Sequence, residues 1–158
     1  MDEKTKLLIV NLENVYRRDP WYGDSILSIL DKIKPNTILN KLSTYSHSIA
    51  ELLTHVISWR EFVLSKLKGD NKFNVEQNES FNWKRIDSNE KTIWKSLLDA
   101  LEKNQNEIIK VLENSDDILL EKLVPGNIYN MSFLVDGIIQ HDIYHLGQIS
   151  FIASAFKN

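Results

Sequence analysis

The sequence predicts an all-α fold, a four-helix bundle with long connections, and three observations carry that reading. Apolar residues recur with helical spacing in four long stretches. Only five Gly and three Pro occur among 158 residues, too little punctuation for the many tight turns of a β sandwich or barrel. At 18.4 kDa the chain is about the size of one domain, so residues 1–158 are expected to share one core.

The first helix is read from Leu7, Leu8, Leu12 and Val15. It should stop near Asp19, because the residue before Pro20 is pushed out of the α region. After the turn Trp21-Tyr22-Gly23, Asp24 is expected to cap a short segment carrying Ile26, Leu27, Ile29, Leu30 and Ile33, which ends before Pro35. A capping box opens the second long helix: Ser48 accepts from the amide three residues on, and Glu51 reaches back. Its apolar wall is Ile49, Leu52, Val56, Trp59 and Val63, and Lys68-Gly69-Asp70-Asn71 breaks it. Residues 70–86 form a long polar connection in which Phe73, Val75, Phe81 and Trp83 are expected anchors. Asp87 with Glu90 forms another capping box, and Ile93, Trp94, Leu97, Leu98, Leu101, Ile108 and Leu112 trace the third helix. Leu119 to Tyr129, with Pro125-Gly126, is a second connection. The fourth and longest helix runs from about Asn130 to Phe156. Two long crossovers allow at least one neighbouring pair that is not antiparallel.

Composition narrows the function. Cysteine is absent, which excludes disulfides, Fe–S ligation, thiolate zinc sites and cysteine nucleophiles. A net charge of −3 with both signs interspersed disfavours nucleic acid as a partner. Phe133 to Ile152 is interrupted by Asp136, Gln140, His141, Asp142, His145 and Gln148, so no membrane span is expected. The charged start Met1-Asp2-Glu3-Lys4 lacks the apolar stretch of a secretory signal, and a cytoplasmic location is expected.

Histidine is then the residue type left for metal chemistry, at positions 47, 55, 141 and 145. His141 and His145, four apart, project about 40 degrees apart on one helix face. That face also carries Leu134, Ile138, Gln148, Ile149 and Ile152, so both imidazoles point into the bundle. Burying them unpaired would cost on the order of a few kcal/mol, and a shared divalent ion is one remedy. By periodicity alone, a metal pair and a pair of core histidines stand about even. His55 lies at the edge of the inward face of the second helix, where a third ligand can come from. Three imidazoles would leave positions open for water or substrate. An ion there lowers the pKa of bound water towards about 7, polarises a carbonyl or activates a thiolate. His47 reads as an exposed or capping residue, and Trp59 and Trp94 as core. Gln148 could orient a ligand from behind, as could Glu51, although its capping duty is the simpler reading. Asp142 points away from the pair, and Tyr144 flanks it.

Gly137-Ile-Ile-Gln-His141-Asp-Ile-Tyr-His145-Leu-Gly-Gln148-Ile resembles the C-terminal helix signature of the DinB-like (YfiT-like) metalloenzyme superfamily. His47-Ser-Ile-Ala-Glu-Leu-Leu-Thr-His55, followed by Trp59, is similar to that family's second-helix motif. Trp21-Tyr-Gly-Asp-Ser-Ile and Val124-Pro-Gly-Asn-Ile-Tyr129 resemble segments of one of its branches. The resemblance implies an up-down-down-up four-helix bundle, usually a homodimer, with a divalent ion on His55, His141 and His145. Zn and Ni are the foremost metals, with Fe, Mn or Cu also compatible. It further implies a metal-dependent enzyme, such as a low-molecular-weight-thiol S-transferase acting on small electrophiles. The alternatives are a metal-dependent hydrolase and a non-catalytic, stress-related metal-binding dimer. Lacking cysteine, the protein would take its thiol as a cosubstrate beside the small-molecule substrate.

Overall fold

The computed structural model describes residues 1, 3–72, 82–84, 86, 90–115 and 118–157. Among them the regular structure is helical, with one isolated antiparallel bridge between Leu123 and Asn130. The all-α expectation therefore holds. Helix α1 spans Glu3–Arg17 and buries Leu8, Leu12, Val15 and Tyr16 at helical spacing. It stops two residues before Asp19, the position that Pro20 keeps out of the helix.

Helix α2, Ile26–Asp31, departs from the expected cap by one residue. Ser25 is the N-cap and accepts from the Ser28 amide, while Asp24 holds the Ser28 hydroxyl and the Lys32 ammonium. A 3₁₀ turn at Pro35–Thr37 then delivers the fully buried Ile38 to the core.

Helix α3, Ile49–Leu67, starts on the expected capping box. Ser48 Oγ accepts from the Glu51 amide at 3.2 Å, and Glu51 Oε2 accepts from the Ser48 amide at 2.8 Å. It ends where Gly69 takes φ +84°, a left-handed conformation that costs glycine little. Helix α4, Glu90–Glu113, buries Trp94, Leu97, Leu101, Ile108 and Leu112. The expected cap at Asp87 and the anchors Phe73, Val75 and Phe81 lie outside the described residues.

The second connection is more ordered than expected. It contains the short helix α5, Ile118–Glu121, and a closed loop in which the Val124 amide donates to Tyr129 O and the Met131 amide to Lys122 O. The buried side chains of Leu120 and Val124 fasten it to the core. Helix α6, Met131–Ala155, is capped by Asn130, whose Oδ1 accepts from the Phe133 amide.

Helix α3 packs against both α4 and α6, and α1 packs against the same two. Leu52 shares a cleft with Ile152, while Val63 shares a cavity with Leu134, so α3 and α6 run antiparallel. By contrast, Glu61 and Leu64 border a hollow with Ala100 and Lys103, and Lys68 borders the next with Lys110 and Asn114. Helices α3 and α4 therefore run the same way, which only a long crossover permits. No helix among the described residues is long and apolar enough to cross a membrane.

Candidate metal centre

The antiparallel seam between α3 and α6 brings His55 opposite His141 and His145. One ring nitrogen from each lies within 4.8 Å of the other two, so the group could hold a metal ion. His55 Nε2 and His141 Nε2 are 3.1 Å apart. The flanking bonds set the tautomers. His55 donates its Nδ1–H to the backbone carbonyl of Asn82 at 3.0 Å, and His145 donates its Nδ1–H to Gln148 Oε1 at 2.7 Å. Both rings therefore keep an Nε2 lone pair free for a shared ion. His141 Nδ1 is buried and has no hydrogen-bond partner among the described residues. Two imidazole nitrogens facing at hydrogen-bond distance need a proton or a cation between them, and the donor set fits a borderline divalent metal.

Burial favours the neutral, ligating form of all three rings. The His141 imidazole is pushed down to about 3, first by desolvation and then by the charges of His145, His55 and Arg60. Desolvation also lowers His55, against the pull of the Asn82 carbonyl, and His145, against its bond to Gln148. Protons compete with metal only below the pKa of the folded state, so the loss of affinity should shift to more acidic pH than ordinary histidines allow. Three independent imidazoles at the usual pKa of about 6.5 would lose roughly fifty-fold in affinity between pH 7.5 and pH 6.0. With His141 out of range and the other two lowered, the expected loss here is below about fifteenfold over that interval, read from Zn²⁺ titrations at the two pH values.

Around the triad, Trp83 is sandwiched between two imidazoles. Its ring stacks on His47 at 3.8 Å and on His55 at 4.0 Å between centroids, within 8° of parallel in both cases. Trp59 meets His55 edge-on at 6.3 Å and donates Nε1–H to Asn82 Oδ1. Asn82 thus holds His55 through its backbone and Trp59 through its side chain. A cleft of about 510 Å³, walled by Leu42, Leu52, Trp83, Phe151 and Ile152, reaches His145 and Gln148. A second cavity of about 210 Å³, walled by Trp59, Val63, Phe133 and Ile138, reaches His141.

Behind the triad lies a buried ion pair. Arg60, fully inaccessible on α3, donates Nε–H and Nη2–H to Asp142 Oδ2 at 3.0 and 2.6 Å. Its Nη1–H goes to Gln105 on α4, which in turn donates to Glu13 on α1. Burial raises the Asp142 carboxyl above its ordinary value, and the Arg60 guanidinium opposes the shift. With two donors of a permanent cation on one oxygen, the carboxylate stays ionised at neutral pH.

The residues singled out from the sequence land in different surroundings. Gln148 sits on a ring nitrogen of His145, whereas both oxygens of Glu51 are occupied by the Ser48 amide and Lys41. Asp142 points away from the histidine pair as expected, but into the core and onto Arg60 rather than to a neutral position. Trp94 is core, whereas Trp59 is half-buried and lines the smaller cavity. His47 is 47% exposed and lines the larger cleft as a stacking partner of Trp83. Sequence reasoning missed Arg60, although a cation between the wall residues Val56 and Val63 already demands a buried partner. Asn82 carried no signal, because the segment around it has no periodicity.

Residues 23–149, more than three quarters of the chain, match a family model described as the DinB superfamily. The matched span includes His55, His141 and His145. No curated protein and no solved structure matches the chain.

Proposed function

The chain belongs to the DinB superfamily, and from that premise we propose that it is a divalent-metal enzyme whose ion is held by His55, His141 and His145. Zn or Ni is the resident metal in this reading. The observation that carries it is the cleft of about 510 Å³ opening on His145. An ion that only tied α3 to α6 would need no such access, so the cleft supports catalysis over a purely structural role. Bound there, the ion supplies a Lewis-acidic centre with positions left over for outside ligands.

The chemistry proposed is transfer of a low-molecular-weight thiol to a small electrophile. The protein has no cysteine, so the thiol comes as a cosubstrate. Its sulfur bonds to the electrophilic carbon as the bond to the leaving group breaks, and the S–H proton leaves towards the cleft mouth, where His47 is exposed. Gln148 and the Asn82 carbonyl hold His145 and His55 in the tautomers that leave Nε2 free. The apolar walls exclude water from the electrophile and favour transfer over hydrolysis.

The test is a rate assay of Zn²⁺-loaded and Ni²⁺-loaded protein with 2-mercaptoethanol and chlorodinitrobenzene, beside nitrophenyl acetate as a hydrolysis substrate. Thiol adduct formation above background that is lost in His145→Ala supports the transferase reading. Nitrophenyl acetate turnover alone would move it to a hydrolase, and neither to a non-catalytic bundle. The homodimer belongs to the same proposal, supported by the exposed Phe133 and Phe151 on α6. Sedimentation at micromolar concentration should give twice the 18.4 kDa chain mass, and a monomer mass would remove it.

A further inference from the structure

Among the described residues, the two cavities at the triad have no lining residue in common. The larger meets His145, the smaller meets His141 one turn earlier on α6, and the two rings are 4.4 Å apart between centroids. His55 stands between them, with Trp83 of the cleft stacked on its face and Trp59 of the small cavity at its edge. Neither lining contains Lys, Arg, Asp or Glu among the described residues. Away from the triad itself, a charged group would find no Lys, Arg, Asp or Glu beside it among the described residues, and it would lose its hydration against apolar walls. The polar groups differ in number. The cleft offers Ser46, His47 and Gln148 beside its apolar walls, whereas the small cavity offers little beyond His141 and Tyr129.

We propose that the triad is served by two separate pockets that hold two ligands at once, each uncharged apart from any atom that meets the triad. The cleft at His145 takes the larger one, with a hydrogen-bonding head and an apolar body. The cavity at His141 takes a small apolar group of about the size of one aromatic ring. Its volume of about 210 Å³ exceeds the roughly 150 Å³ at which apolar protein cavities already take up benzene. Two ligands meeting at neighbouring rings is the arrangement a two-substrate reaction needs, and hydrolysis would need only one. The inference rests on the reading of the triad as a reaction centre, but its test requires no metal.

The experiment uses the full chain and two neutral probes. N-phenylnaphthylamine, followed by its fluorescence, reports the cleft, and toluene, followed by the amide shift of Ile138, reports the small cavity. Both are expected to bind together, with saturating toluene changing the N-phenylnaphthylamine dissociation constant by less than about twofold. Leu42→Glu, at an exposed residue of the cleft, should weaken N-phenylnaphthylamine by about tenfold or more and leave toluene unchanged. Gly137→Leu should do the reverse. An added Cβ at Gly137 meets nothing within 4 Å, so the first atom of the new side chain enters open space. Competition between the probes, failure of toluene to bind, or one variant weakening both probes would overturn the proposal. Wild-type protein that binds both probes but takes up no divalent ion would strike the proposed function and leave the two pockets standing.

Discussion

Asp142→Ala is expected to destabilise the protein by about 3–5 kcal/mol, the usual cost of stranding one partner of a fully buried ion pair. Both side chains are 0% exposed, and Asp142 Oδ2 accepts two of the bonds made by the Arg60 guanidinium. Removing it leaves a permanent cation in the core with Gln105 as its remaining hydrogen-bond partner among the described residues. Urea unfolding at neutral pH measures the loss, and a value below about 1 kcal/mol would show that the pair is not held as an ion pair. The double replacement Arg60→Met with Asp142→Leu removes both charges at similar volume and should recover most of the stability. Because Arg60 and Asp142 tie α3 to α6 beside the triad, the single variant should also weaken metal binding, and the double variant should restore it.

The second large effect is on metal affinity. His145→Ala removes a ring nitrogen from a group of three, and its affinity for Zn²⁺ should fall by about a thousandfold or more. Gln148→Ala leaves all three rings in place but frees the His145 tautomer, and the expected loss is about 10–100-fold, as for other partners that orient metal-binding histidines. Competition titrations against a chelator give both numbers. Equal losses in the two variants would mean that Gln148 itself reaches the ion, and no loss in His145→Ala would remove that ring from the site.

The helices that build the site are legible in the sequence because their apolar spacing is regular. Leu8, Leu12 and Val15, then Leu101, Ile108 and Leu112, mark buried faces directly, and Ser48 with Glu51 marks the start of α3. The inward direction of His141 and His145 follows from the same periodicity, since they share a stripe with Ile138, Ile149 and Ile152. What surrounds them does not follow. The Asn82 carbonyl that orients His55 is a backbone group in a segment without pattern, and backbone acceptors leave no trace in residue identity. Trp83 reads as an anchor, but nothing in its neighbours says that it lands between His47 and His55. Asp142 lies about 100 degrees from His141 on the helix, outside the histidine stripe. That rotation carries it to Arg60 on α3, a pairing that joins residues 82 positions apart and that no local spacing encodes. Short elements escape for a related reason: α5 is four residues long, and its one buried side chain, Leu120, makes no period.

That His55, His141 and His145 together hold a divalent ion is tested most directly by metal content. Protein purified from metal-replete cells without chelators and analysed by inductively coupled plasma mass spectrometry should carry about one divalent transition-metal ion per chain, and His55→Ala, His141→Ala and His145→Ala should each lose most of it. Wild-type protein that is folded, carries no such ion and takes up neither Zn²⁺ nor Ni²⁺ on titration at neutral pH would contradict the assignment of these three histidines as a metal centre.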